Sequence, residues 1–218
     1  MARHADSTVG PTILERRSVT RLALALIAFG CLMLPGLSTA GDTRHTRSFH
    51  AEDVSEKTFG RKLDLADPSG KNRRLDEFRG NVVLVYFGFT HCPDVCPTEL
   101  ARLAELRRRL GPAGQRVQVL FVTLDPERDS AGLLREYVSA FDPGFIALRG
   151  SAASTAKAAK EFRVAYLKIP GSAPDRYTLD HSSYVYALDP DSRLRLRFDS
   201  AISIEKMLAD VMMLIDER

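Results

Sequence analysis

A chain of 218 residues, 44% hydrophobic and 27% charged, suits one globular domain of ordinary composition. The formal net charge is +3, and beyond residue 40 acidic and basic residues nearly cancel, which excludes a nucleic-acid binder.

The N-terminus reads as a targeting segment. Arg16, Arg17 and Arg21 precede an apolar stretch over 22–34, and Pro35-Gly36-Leu37-Ser38-Thr39-Ala40 supplies a small-x-small cleavage pattern. The alternative is a retained membrane anchor, because 22–40 is about long enough to span if Pro35 and Gly36 are accommodated. Both readings place the remainder outside the cytoplasm. Arg16-Arg17 also fits a twin-arginine signal, whereas Phe29 fits a lipidation site at Cys31 poorly. Residues 1–40 are therefore assigned as a signal peptide or N-terminal anchor. Residues 41–57, polar and carrying His45 and His50, are a spacer, and 58–218 are the folded domain.

Within the domain, 63–65, Asp67-Pro68-Ser69-Gly70 and 71–74 predict strand, turn and strand. A central strand is predicted over 81–90, buried because Val82 to Phe89 is an apolar, β-branched and aromatic run. A helix is expected over 97–110, with Leu100, Leu103, Leu106 and Leu110 on one stripe and Gly111-Pro112 as the stop. A second apolar strand over 117–124 leads into Asp125-Pro126-Glu127-Arg128-Asp129-Ser130 and then a helix over 130–141. A short strand at 145–148 precedes an Ala-rich helix capped by Ser151, and 169–174 reads as an exposed loop. Segments 184–188 and 193–198 flank Asp189-Pro190-Asp191-Ser192 as an antiparallel hairpin. The last helix, 203–215, holds Met207, Met212 and Met213, read as core. This order gives an α/β sheet, parallel in its centre with an antiparallel edge, which is the thioredoxin-like pattern.

The chemistry concentrates at Thr90-His91-Cys92-Pro93-Asp94-Val95-Cys96-Pro97, where the central strand meets a helix N-terminus. Helix dipole and free N–H groups there favour thiolate. Thiolate is both a redox nucleophile and a soft metal ligand, so electron exchange and soft-metal binding are both open. A purely structural disulfide is disfavoured, since a three-residue loop constrains little chain entropy. Spacing i, i+4 lets both sulfurs face one ion. General reductases of the thioredoxin type prefer two intervening residues and a neighbouring Trp, and this chain has no Trp. A third ligand is most simply an imidazole. His91 would leave the strand on the side opposite its neighbour. His181, in Thr178-Leu179-Asp180-His181-Ser182-Ser183, precedes a strand in the loop that faces the Cys helix in a thioredoxin-like fold.

These segments, with 80–98, 122–129 and 180–183, resemble the Sco/SenC family, thioredoxin-like copper proteins of cytochrome c oxidase assembly, over about 58–216. The resemblance implies a thioredoxin core with an added N-terminal β-hairpin, copper as the metal, and Cys92, Cys96 and His181 as ligands. It places Asp125 in an acidic loop near the site, either supporting the ligands or as a solvent-facing charge. Asp180 is a candidate to orient the His181 ring. The implied function is a metallochaperone in the periplasm, exported or tethered to the inner membrane. It would deliver copper to the binuclear copper site of cytochrome c oxidase subunit II, or reduce that subunit's cysteines. Other periplasmic copper donors or thiol reductants would be its further partners. The alternative is an extracytoplasmic thiol–disulfide oxidoreductase using Cys92 and Cys96 as a redox pair able to form a disulfide and indifferent to His181. A peroxidase reading would need Thr90 and Arg128 arranged round one Cys.

Overall fold

The computed structural model describes residues 48–173 and 176–217. The expected signal peptide or anchor over 1–40, and His45, lie outside the described residues. Among the described residues no helix is long and apolar enough to cross a membrane.

The run Val82-Val83-Leu84-Val85-Tyr86-Phe87-Gly88 is buried at every position, as a strand covered on both faces must be. Six strands form the main sheet: β1 (Glu52–Asp53), β4 (Val82–Gly88), β5 (Val117–Thr123), β6 (Ile146–Leu148), β9 (Val185–Leu188) and β10 (Leu194–Phe198), in the order β1-β10-β9-β4-β5-β6. β4, β5 and β6 run parallel, and β9, β10 and β1 continue the sheet antiparallel. A separate hairpin, β2 (Asp64–Ala66) with β3 (Asn72–Arg74), is the added N-terminal hairpin. The thioredoxin-like α/β class is therefore the one observed.

Among the described residues, four α-helices complete the body. α1 (Val95–Arg109) packs beside α4 (Ile204–Asp216), α2 (Ala131–Ser139) against β6, and α3 (Ala152–Glu161) against β2. Ser130, Ser151 and Ser203 each accept a hydrogen bond from an amide in the first turn of α2, α3 and α4, a cap worth roughly 1 kcal/mol. Leu100, Leu103 and Leu106 of α1 are fully buried, as their stripe requires. Met207 is likewise core, whereas Met212 is exposed.

Two expectations change. The spacer expected over 41–57 ends earlier: β1 pairs with β10, Val54 is buried, and the buried Asp210 carboxylate accepts from the amides of His50 at 2.9 Å and Ala51 at 2.8 Å. A two-residue edge strand with outward Glu52 and Asp53 has no apolar alternation to reveal it. The loop expected over 169–174 belongs to a second hairpin, β7 (Tyr166–Ala173) with β8 (Arg176–His181). Its register shifts between Pro170 and Ala173, where an irregular ladder admits proline. A Cβ on Gly171 would stand 2.0 Å from the Arg176 carbonyl oxygen, so only glycine allows this approach.

Candidate metal centre

The carboxyl end of β4, the first turn of α1 and the last residue of β8 converge. Cys92 lies in the loop after β4, its amide donating to the Phe89 carbonyl at 3.3 Å. Cys96 is the second residue of α1, and Pro97 follows in the first turn, where its missing N–H has no helical partner to lose. His181 closes β8 rather than lying in a free loop. The Cys96 Sγ and His181 Nε2 are 3.4 Å apart, and one donor atom from each of Cys92, Cys96 and His181 lies within 4.8 Å of the others. Both thiols are unpaired. The three predicted ligands are thus brought together.

The imidazole is held on two sides. Its ring stands edge-on to Phe89 and Tyr86, with centroids 5.9 and 6.5 Å away. Nδ1 lies 3.0 Å from the Ser182 carbonyl oxygen, which can only accept, so the ring proton sits on Nδ1 and the Nε2 lone pair faces the sulfurs. Asp180 does not orient the ring as expected. Its side chain is exposed, on the opposite face of β8 from its neighbour His181, and the backbone of Ser182 takes that place. An open groove of about 340 Å³ beside the histidine is lined by Ala165, Tyr166, Leu167, Asp180, His181 and Ser182.

The thiols are not equivalent. Cys96 is fully buried, and that burial, reinforced by neighbouring Cys92, pushes its pKa up to about 12. The helix start was expected to favour thiolate at both positions; at Cys96 desolvation outweighs it. The Tyr86 hydroxyl donates to Cys96 Sγ at 3.7 Å, and burial first, then Cys96, raises the Tyr86 pKa. Cys92 is half-buried and its Sγ accepts from the Cys96 amide at 3.4 Å.

Asp129, which the sequence did not single out, is buried and accepts from the Thr90 amide at 3.1 Å, the Thr90 hydroxyl at 2.5 Å and the Thr123 hydroxyl at 2.5 Å. It pins the loop that leads into Cys92. His91, about half exposed, leans on the same carboxylate at 3.6 Å. Asp125 is not a solvent-facing charge. It is buried and binds Arg128 Nε at 2.5 Å and the Tyr177 hydroxyl at 2.7 Å. Thr90 is engaged by Asp129, and Arg128 by Asp125 and the Tyr177 carbonyl, so neither is arranged round a cysteine as a peroxidase would need.

The donor set fits a soft metal. Two sulfurs and one imidazole suit copper, whereas structural zinc sites close with four protein ligands.

The family model described as SCO1/SenC matches residues 51–216. The bovine (Bos taurus) mitochondrial protein SCO2 homolog is 36% identical over 205 residues, covering 93% of this chain and 76% of that protein. The mouse (Mus musculus) counterpart is 39% identical over 151 residues, 68% of this chain and 59% of its own length. Among solved structures, Bradyrhizobium japonicum ScoI with copper bound superposes with a TM-score of 0.66 at 36% identity, covering 72% of this chain and 99% of that one. This chain belongs to the SCO1/SenC family.

Proposed function

We propose that the domain is a copper-binding metallochaperone in which Cys92, Cys96 and His181 hold one copper ion as cargo. The observation that carries this reading is the convergence of three donor atoms within 4.8 Å, with Nδ1 of His181 already engaged so that Nε2 is the free donor. Copper in the related Bradyrhizobium japonicum structure supports the choice of metal. Loading requires both cysteines reduced and deprotonated, so the buried Cys96 thiol releases its proton as the ion enters. Tyr86 then donates a hydrogen bond to the Cys96 sulfur, and the Phe89 and Tyr86 rings keep the imidazole in place.

The recipient we infer is the binuclear copper site of cytochrome c oxidase subunit II, reached in the periplasm by a domain exported or tethered through residues 1–40. The adjacency of Cys92 Sγ and the Cys96 amide favours a second use of the same pair. Two thiols can pass two electrons to a disulfide of the recipient, losing two protons and closing a Cys92–Cys96 disulfide.

Copper stoichiometry of the purified chain, before and after dithiol reduction, tests the reading. The reduced protein should take one copper ion and show a sulfur-to-copper charge-transfer band in the Cu(II) form; the oxidised protein should take none. Stoichiometric copper retained by Cys92→Ala would overturn it. His181→Ala separates the two uses: Cu(II) binding should be lost or greatly weakened while disulfide reduction persists within a few-fold.

A further inference from the structure

The hairpin that delivers His181 is weakly attached by its backbone. β7 and β8 form their own two-stranded sheet and share no ladder with the main one. Such a ribbon is marginal in water by itself. Its outward face is exposed, with Leu167 at 63% and Ile169 at 39%. Side-chain alternation puts Tyr177, Leu179 and His181 of β8 on the other face, opposite Pro170, Lys168 and Tyr166 of β7.

On that inward face Tyr177 is gripped from several directions. Its ring lies between the Arg128 guanidinium, 3.6 Å from the ring centre, and the Lys168 ammonium at 3.7 Å. Its hydroxyl donates to the buried Asp125 at 2.7 Å, and its carbonyl accepts from Arg128 Nη1 at 2.8 Å. Arg128 is itself fixed by Asp125, and Lys168 reaches Glu127 at 3.1 Å. Every one of these body-side partners, Asp125, Glu127 and Arg128, sits in the segment that follows β5. The same segment ends at Asp129, which holds Thr90 two residues before Cys92.

We propose that residues 125–129 are a positioning element with two arms. Asp129 locks the cysteine loop, while Asp125 and Arg128, through Tyr177, lock the hairpin, so that Nε2 of His181 is set against the sulfurs by the chain's own contacts. Tyr177 is the positioning residue on the hairpin and touches no metal. This assignment rests on the copper reading for its purpose, while the contacts it is argued from all lie within the chain.

The test compares Tyr177→Ala and Tyr177→Phe with an outward-face control, Ile169→Ala, in the full reduced chain. In the metal-free form, NMR cross-relaxation between the His181 ring and the Phe89 and Tyr86 rings should be lost in Tyr177→Ala, weakened in Tyr177→Phe and kept in Ile169→Ala. Cu(II) affinity should fall about 10–100-fold in Tyr177→Ala, the range expected when a group orienting a ligand is removed. The sulfur-to-copper band should shift with it. In a His181→Ala background the same Tyr177 change should alter residual copper affinity less than about twofold, because Tyr177 acts only by placing the His181 ligand. An equal loss with and without His181 would mean general destabilisation and would overturn the proposal. So would unchanged ring contacts in both Tyr177 variants. If Tyr177→Ala fails to fold, Tyr177→Phe decides on the same readouts. If the wild type takes up no copper, the copper reading fails, and the metal-free ring contacts still judge the positioning role.

Discussion

Gly88 ends the central strand with its hydrogen directed at the site. A Cβ built there would stand 2.8 Å from Cys96 Sγ and 2.9 Å from Phe121 Cε2, both in fully buried residues. Ordinary contacts begin near 3.4 Å, so Gly88→Ala must displace both neighbours by about 0.5 Å. The backbone itself is no obstacle, since Gly88 has no positive φ. The Phe121 ring is packed against Tyr86 and Tyr137, and Cys96 Sγ has Tyr86 and His181 around it, so neither has room to yield freely. Overpacking of this kind costs about 1–3 kcal/mol. For a body of this size that is a fall in melting temperature of roughly 3–10 °C. A sulfur moved by about 0.5 Å also leaves the tolerance a preorganised metal site allows, so copper affinity should drop by about tenfold or more. Thermal unfolding of the metal-free protein and a copper titration of the reduced protein measure the two effects separately. Wild-type values in both would refute the view that Cys96 is held by close packing against β4.

Three further outcomes are expected. Limited alkylation of the reduced, metal-free protein at pH 8, followed by peptide mass mapping, should modify Cys92 at least about 100-fold faster than Cys96, which is buried and stays protonated with a pKa pushed up to about 12; comparable rates would contradict the assigned burial. Asp180→Ala should change copper affinity by less than about threefold, because the Ser182 carbonyl holds Nδ1 of His181; a loss of tenfold in a copper competition assay would restore Asp180 as the orienting group. In the β2–β3 turn, burial raises the Asp67 pKa, but hydrogen bonds from the Ser69 side chain, Arg73, and the amides of Ser69 and Lys71 outweigh it and bring the value down to about 2. The native carboxylate therefore adds stability that is complete above about pH 4 and is lost as pH falls towards 2. Denaturant unfolding should find Asp67→Asn less stable than wild type at pH 6, with the gap closing near pH 2; a gap constant across that range would rule the carboxylate out as its source.

The strand over 82–88, the cysteines behind it and the helix after them were legible because each is a local signal: an unbroken apolar run, a strand-to-helix turn, an i, i+3 leucine stripe. Ser151 as a cap was legible for the same reason, since a cap speaks to an amide three residues away. His181 could be chosen from five histidines only through fold order, because its sulfur partner lies 85 positions away. What the tertiary structure decided is mostly polar and long-range. Asp129 reaches Thr90 across 39 positions and Asp125 reaches Tyr177 across 52, and contacts of that separation leave no periodicity in the chain. Burial reversed the expected state of Cys96, because a helix start favours thiolate only while the sulfur keeps some solvent, and Cys96 has none. The β7–β8 hairpin escaped detection because most of its β7 residues are exposed and Pro170-Gly171 imitates a loop. Its place beside the cysteines comes from the grip on Tyr177 together with the burial of Leu179, which no local pattern announces.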